Sequence, residues 1–183
     1  PAICGCLRLF RLTRKPEYRA AAERLYAWVN GKLQDTDGLY FDNVKLDGTV
    51  ERTKWSYNSA LMIRANCLFY QVTREARFRK EAERIAAAAQ TRWVKVDTGA
   101  FTDGAQFAHL LCEAYLNLWD IDGDARWLRV SRRALGYLHA EARDSSGFYG
   151  NRWDARPAAP LTAVKLLDHA SAARAFLRAS TSG

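Results

Sequence analysis

A chain of 183 residues that is 49% hydrophobic and 26% charged can bury a core as one domain, which excludes global disorder. Its net charge of +8 raises an acidic polymer as a partner, but arginines alternate with glutamates through Arg14, Glu17, Arg19, Glu23, Arg24 and again through Arg74, Glu75, Arg77, Arg79, Glu81, Glu83, Arg84. That interleaving marks solvated helix faces, and without any nucleic-acid reader motif no nucleic acid is expected as a partner. No run approaches the ~18 consecutive apolar residues of a membrane span.

In chain order, apolar residues at i, i+3, i+4 spacing predict seven helices, near 3–13, 16–34, 57–73, 76–93, 102–120, 124–142 and 160–179. Leu9 and Leu12, then Leu25, Trp28 and Val29, then Leu110, Leu111, Ala114, Tyr115 and Leu118 carry the pattern, and Pro16 suits a first helical turn. A short hairpin within Gly38 to Arg52 is the only strand candidate, and 180–183 is expected to fray. The helices repeat. Leu12-Thr13-Arg14-Lys15-Pro16-Glu17-Tyr18-Arg19 and Ala22-Glu23-Arg24-Leu25 return as Val72-Thr73-Arg74-Glu75-Ala76-Arg77-Phe78-Arg79 and Ala82-Glu83-Arg84-Ile85, and more weakly as Ile121-Asp122-Gly123-Asp124-Ala125-Arg126-Trp127-Leu128. Each copy is a helix, a turn and a second helix, so the expected fold is all-α, a single array of successive antiparallel hairpins over 1–183.

Cys4, Cys6, Cys67 and Cys112 sit in apolar helical contexts without a CxxC pair and read as free thiols. His109, His139 and His169 lack HxxxH or HExxH spacing, and Walker, dinucleotide and Gly-x-Ser-x-Gly motifs are missing, so neither metal nor cofactor is expected. His109, beside Leu110 and Leu111, reads as a core or edge residue. There is no charged-then-apolar leader, and an opening of Pro1-Ala2-Ile3 without Met is expected of an excised fragment.

Between the copies lie longer segments, each with a Gly-aromatic cluster: Gly38-Leu39-Tyr40, Gly99-Ala100-Phe101 and Gly147-Phe148-Tyr149. Stacked hairpins would bring all three to one edge, where repeat proteins present binding surfaces. The densest polar-aromatic group is Tyr40, Asp42, Trp55, Tyr57 and Asn58. Two uses remain open for it. The rings can stack on sugar faces while Asp42 and Asn58 bond hydroxyls, or Ser56 or Asn58 can cap the next helix while the aromatics fill a core.

The succession Arg11-Leu12-Thr13 to Tyr18, then Trp28, Gly38-Leu39-Tyr40-x-Asp42, Trp55-Ser56-Tyr57-Asn58 and the second repeat resembles the latter half of glycoside hydrolase family 76, from about residue 3 to residue 154. The resemblance implies half of an (α/α)6 toroid, a role beside an endo-acting α-1,6-mannan hydrolase site, an α-linked mannan-like glycan as partner, and a bacterial periplasmic or extracellular setting. It makes Tyr40, Asp42, Trp55, Tyr57 and Asn58 the substrate-binding residues. Ser59 and Ala60 depart from the Gln and Gly more usual in the family.

Glycosidases need two carboxyl groups at the scissile bond. The resembled family carries them as an adjacent Asp-Asp pair in the first half of its chain, whereas no two acidic residues are adjacent among these 183. The catalytic residues are therefore unassigned and the chain alone is expected to be inactive. Asp42, Asp97 and Asp103 lie in the candidate loops and read more simply as caps and turn formers. Two other readings stand: a non-catalytic helical-repeat module for a protein or an acidic polymer, with one contiguous basic patch and buried loop aromatics, and a different toroid enzyme, such as a sugar epimerase, with catalytic histidines on inner helices. An open half ring would also expose apolar surface, so self-association or association with the missing half is expected.

Overall fold

A computed structural model describes residues 1–182. Its helices are α1 (Ala2–Thr13), α2 (Pro16–Leu33), α3 (Ser56–Thr73), α4 (Ala76–Trp93), α5 (Ala105–Asp122), α6 (Ala125–Glu141) and α7 (Leu166–Ser180). The expected hairpin is present as β1 (Asn43–Val44) paired antiparallel with β2 (Val50–Glu51), Val44 opposite Val50. In the expected tail, Ser182 is buried with its hydroxyl donating to the Arg178 carbonyl at 3.1 Å, and Gly183 lies outside the described residues.

The repeated residues build the hairpin turns. Arg14 and Arg74 each stop a helix in the left-handed region, at φ 61° and 63°, with the N–H donating to Phe10 or Tyr70. The threonine before each works in both directions. Thr13 donates to the Leu9 carbonyl at 2.8 Å and accepts from Lys15 N–H; Thr73 donates to Phe69 at 3.0 Å and accepts from Glu75 N–H. In the weaker copy Gly123 takes the left-handed place, and Asp122 accepts from Asp124 N–H and from the Trp127 indole at 2.9 Å. The aromatic that follows folds back on the preceding helix: Phe78 stacks on Phe69 at 4.7 Å and Trp127 on Tyr115 at 5.6 Å.

These short reversals put α1, α3, α5 and α7 in one row, each packed on the next, with α2, α4 and α6 outside them. The middle members of the inner row, α3 and α5, bury residues on nearly every side, among them Ile63, Cys67, Phe69, Leu111, Cys112 and Leu116. The outer helix α4 buries a single stripe, Phe78, Ala82, Ile85, Ala86, Ala89 and Trp93. The result is the expected partial α/α toroid. Cys4, Cys67 and Cys112 are buried and all four thiols are free.

Three expectations need correction. Neither Ser56 nor Asn58 caps α3: the cap position falls on Trp55, whose side chain makes no capping bond, and the Ser56 N–H instead donates to Asp103 at 2.7 Å. Ser56 is already the first helical residue, one place too late to cap. Helix α5 begins at Ala105 rather than 102 because Asp103 turns to accept from Ser56 N–H and its neighbour Gly104 N–H. Helix α7 begins at Leu166 rather than 160, since Leu161 N–H is drawn to the Asp144 carboxylate at 2.9 Å and Pro160 has no N–H to give.

Apolar exposure also falls elsewhere than expected. The concave face of the inner row is polar, with Arg8, Arg64, Glu113, Asn117 and Arg174 along it. The exposed apolar side chains on helices are Leu9 and Leu12 on α1, Leu25 and Trp28 on α2, and Leu166, Leu167 and Leu177 on α7, the last beside the arginine-lined hollow, while Leu46, Trp55, Val96, Phe148 and Val164 are exposed in the connections.

Asp103 thus joins two successive connections, and Asp103→Ala leaves the Ser56 and Gly104 N–H groups without their acceptor. The expected loss is about 1–3 kcal/mol, read as a lower denaturant midpoint with an unchanged slope. Asp97→Ala, at an exposed turn, is expected to stay within about 0.5 kcal/mol of the parent, and equal effects of the two would refute the latch.

Candidate functional site

Because every short turn lies at one end of the array, the three long connections, 34–55, 94–104 and 142–165, gather at the other, beside the N-termini of α3, α5 and α7. Each opens with the same device. A two-residue bridge closes Gln34 on Tyr40, Val94 on Phe101 and Arg143 on Tyr149, and a glycine with positive φ makes the reversal: Gly38 at 86°, Gly99 at 77° and Gly147 at 86°. A side chain at Gly38 would strike the Arg84 guanidinium, and one at Gly99 the Arg133 stem. The Gly-aromatic clusters are therefore first of all clamps. Tyr40 and Phe101 are each 1% exposed, the Tyr40 hydroxyl donates to Asn30 at 2.7 Å, and only Tyr149 stays half-buried.

Tyr40 nonetheless lines a cavity of about 290 Å³ with Asp42, Tyr57 and Asn58, closed by Ile3, Leu25, Val29 and Met62. The structure thus brings four of the five expected site residues around one space. The Tyr57 hydroxyl donates to Asp42 at 2.8 Å, the Asn58 amide to the same oxygen at 3.2 Å, and the Asn43 amide to the other oxygen at 2.8 Å. A carboxylate offers about four lone-pair directions, so about one is left for a hydroxyl. Burial acts to raise the Asp42 pKa, but the bonds from Tyr57, Asn58 and Asn43 outweigh it and hold the carboxyl below its usual range. The hairpin sets its position, with Asp42 N–H donating to Glu51 at 3.1 Å and the Arg52 and Lys54 cations over the Phe41 ring next to it.

The fifth residue, Trp55, stands outside that lining and is 38% exposed. Its ring lies 5.2 Å from Phe107, tilted by 39°, and the other neighbour of Phe107 is Tyr57, stacked at 4.9 Å. Trp55, Phe107 and Tyr57 make a continuous ring stack leading to Asp42, with the exposed Trp55 as its outer member, and so set an accessible aromatic ring near a charged acceptor, as a sugar ring with one apolar face and a rim of hydroxyls requires. Phe107 is a residue the sequence did not disclose. On α5, between Ala105 and Ala108, it carries the ordinary pattern of a core residue, and only contact with another hairpin marks it.

The remaining candidates have other employment. Asp103 accepts from Ser56 and Gly104, and Asp97 is exposed and accepts from Thr98 N–H at 2.8 Å, so neither bonds to Asp42. His109 holds Nδ1 3.1 Å from the Ala105 carbonyl, and burial pushes its pKa down, which keeps the ring neutral. His169 accepts the Tyr149 N–H at Nε2, 3.2 Å away, while Phe148 packs edge-on against its ring. Among the described residues no three His, Cys, Asp or Glu side chains could hold a metal ion, and no helix is long and apolar enough to cross a membrane.

Comparison with known proteins follows the geometry. The model of glycosyl hydrolase family 76 matches residues 1–119. A GH76 α-mannanase from Bacteroides thetaiotaomicron is 29% identical and superposes with a TM-score of 0.93 over 97% of this chain and 50% of its own. The GH76A α-1,6-mannanase of Salegentibacter sp. is 20% identical, with a TM-score of 0.84 over 97% of this chain and 56% of its own. An inactive variant of that enzyme, two adjacent aspartates replaced by asparagine, is similar in complex with α-1,6-mannotriose (21% identity, TM-score 0.82 over 97% and 56%). No curated protein matches. The chain spans about half the length of these solved structures. A family model that matches well over half of the residues, and a fold shared with its α-mannanases, place the assignment beyond the repeat alone: the chain belongs to glycosyl hydrolase family 76.

Proposed function

We propose that this chain forms the carbohydrate-binding wall of an α-mannan-processing glycosidase, with Asp42, Asn58 and Tyr57 bonding hydroxyls and Trp55, backed by Phe107, stacking on a sugar face. The arrangement that carries this reading is the Trp55, Phe107, Tyr57 strip running into the Asp42 carboxylate. The neighbours that bind α-1,6-mannotriose and α-1,6-mannotetraose support an α-1,6-linked mannan as the glycan class.

Cleavage needs a protonated acid and an ionised partner about 5 to 10 Å apart across the bond. Asp42 is fit for only one of those tasks. Its three donors favour the charged form, so it serves as an acceptor and not as the acid. With Asp97 and Asp103 committed to turns, and three of the four or so lone-pair directions of Asp42 already filled, we assign both catalytic carboxyls to a segment other than residues 1–183. Leu12, Leu25 and Trp28 at one end of the array and Leu166 and Leu167 at the other are the contact surfaces for that segment or for a second copy.

Two features favour the helical-repeat binding reading as well: Tyr40 and Phe101 are buried, and arginines collect on the concave face. Glycan binding separates the two. The purified chain is expected to bind α-1,6-mannotriose by calorimetry and to release no oligosaccharide from α-1,6-mannan. Trp55→Ala is expected to weaken binding about tenfold, a stacking contribution of ~1.4 kcal/mol. Undiminished binding by Trp55→Ala would sink the wall, and sustained turnover by the chain would sink the external acid pair.

A depressed carboxyl pKa contributes stability above the unfolded value of about 3.9 and loses it as pH falls through the folded one. Mannotriose affinity should accordingly hold from pH 7 to about pH 4 and fall only below that. In Tyr57→Phe the Asp42 carboxyl loses a donor, so its titration by carbon NMR should move up; an unmoved titration would mean that the Tyr57 hydroxyl does not hold the charge.

Sedimentation of the chain should show species larger than the monomer, reduced by Leu166→Asp with Leu167→Asp. A monomer at every concentration would show that the apolar ends stay uncovered.

A further inference from the structure

We propose that the concave face of the inner row is an oxyanion subsite, and that the glycan taken by this wall carries a phosphate or sulfate ester. The inference rests on the carbohydrate-wall reading and adds a charge requirement to it. Two adjoining hollows on that face, about 490 and 130 Å³, share Arg8, Arg64 and Asn117. Arg174 and Arg178 from α7 line the larger, and Arg11 from α1 the smaller.

The charges there do not balance. Glu113, 5% exposed, lies 3.2 Å from Arg64 and is also bonded by Arg174. Arg178 is paired with Asp120. Arg11 has only the neutral Gln71 oxygen, at 2.8 Å, and Arg8 is exposed with no ion pair among the described residues. Five guanidiniums therefore meet three carboxylates, Glu113, Asp120 and the Asp122 that acts on Cys67 of the smaller hollow, an excess of two positive charges. Asn117 gives its amide to the Glu113 carbonyl at 2.6 Å, so it adds no charge.

An ion network that only braced the helices would gain from a matching number of acids. Surplus like charges within a Debye length of about 8 Å instead repel, and a concave wall concentrates their potential. What relieves that is an anion, and planar guanidinium forks can bond two oxygens of one phosphate or sulfate group at once. The position fits a decorated glycan. Leu61 also lines the Asp42 cavity, and Arg64 follows it by three residues on the same face of α3, which places that cation about 4.5 Å further along the wall at 1.5 Å per residue.

The test compares four probes by calorimetry at near-physiological ionic strength: α-1,6-mannotriose, the same trisaccharide with a 6-phosphate ester, the trisaccharide with a 6-sulfate ester, and inorganic phosphate alone. One ester or both should bind about tenfold tighter than the neutral sugar. The advantage should shrink to twofold or less in Arg8→Gln with Arg11→Gln, both exposed and free of ion pairs, and survive in Arg129→Gln on the outer helix α6. Equal affinity for neutral and esterified sugars, or a gain that persists in the double variant, would overturn the subsite. Inorganic phosphate binding as tightly as the ester would overturn the glycan part. Loss of neutral mannotriose binding with the ester gain intact would count against the wall reading alone and support the oxyanion subsite.

Discussion

A helix that ends in one left-handed residue must turn back at once, and the remaining organisation follows from that constraint. Arg14, Arg74 and Gly123 each hold such a position, flanked by Thr13, Thr73 and Asp122, which supply the bonds the turn leaves open. With every tight reversal at one end, the long connections have nowhere to go but the other. The edge that holds Asp42, Trp55 and Tyr57 is thus the remote consequence of a three-residue turn repeated along the chain.

That turn is why so much of the fold was legible. Helical spacing and the Thr-Arg-aromatic repeat are local, and local signals survive in sequence. What could not be read came from contacts between hairpins. The acceptor at the start of α3 comes from Asp103, 47 residues away, so the nearer Ser56 and Asn58 drew the capping role by proximity. Phe107 has a core pattern and a surface use, decided by Trp55 and Tyr57 across the gap. The Gly-aromatic clusters showed which end the loops share, yet in the first two the ring went inward, while Phe148 of the third stayed exposed. A bridge across the turn needs a buried anchor, and Tyr40 and Phe101 serve as that anchor.

Charge misled for a related reason. Arginine beside glutamate at helical spacing reads as a solvated face, and on α2 and α4 it is one, as with Arg19 and Glu23 or Arg84 and Glu81. On the inner row the same residue type faces a concavity instead. Arg64, Glu113 and Arg174 come from three helices and meet only because α3, α5 and α7 stand side by side. A helix's sequence does not say which row it will occupy, so the sign of its exposed face is readable while its address is not.

The proposed division between binding and cleavage has the same physical root. A carboxyl that accepts three hydrogen bonds is stabilised in its charged form, and each added donor lowers its pKa further and leaves it without the proton a general acid must hold at neutral pH. Asp42 has been driven to that limit by Tyr57, Asn58 and Asn43. An acid for the leaving oxygen needs the opposite surroundings, apolar and poor in donors, with a second charge close by to keep the proton in place. A wall rich in donors is suited to holding hydroxyls, and for that reason it is the wrong place to keep a proton.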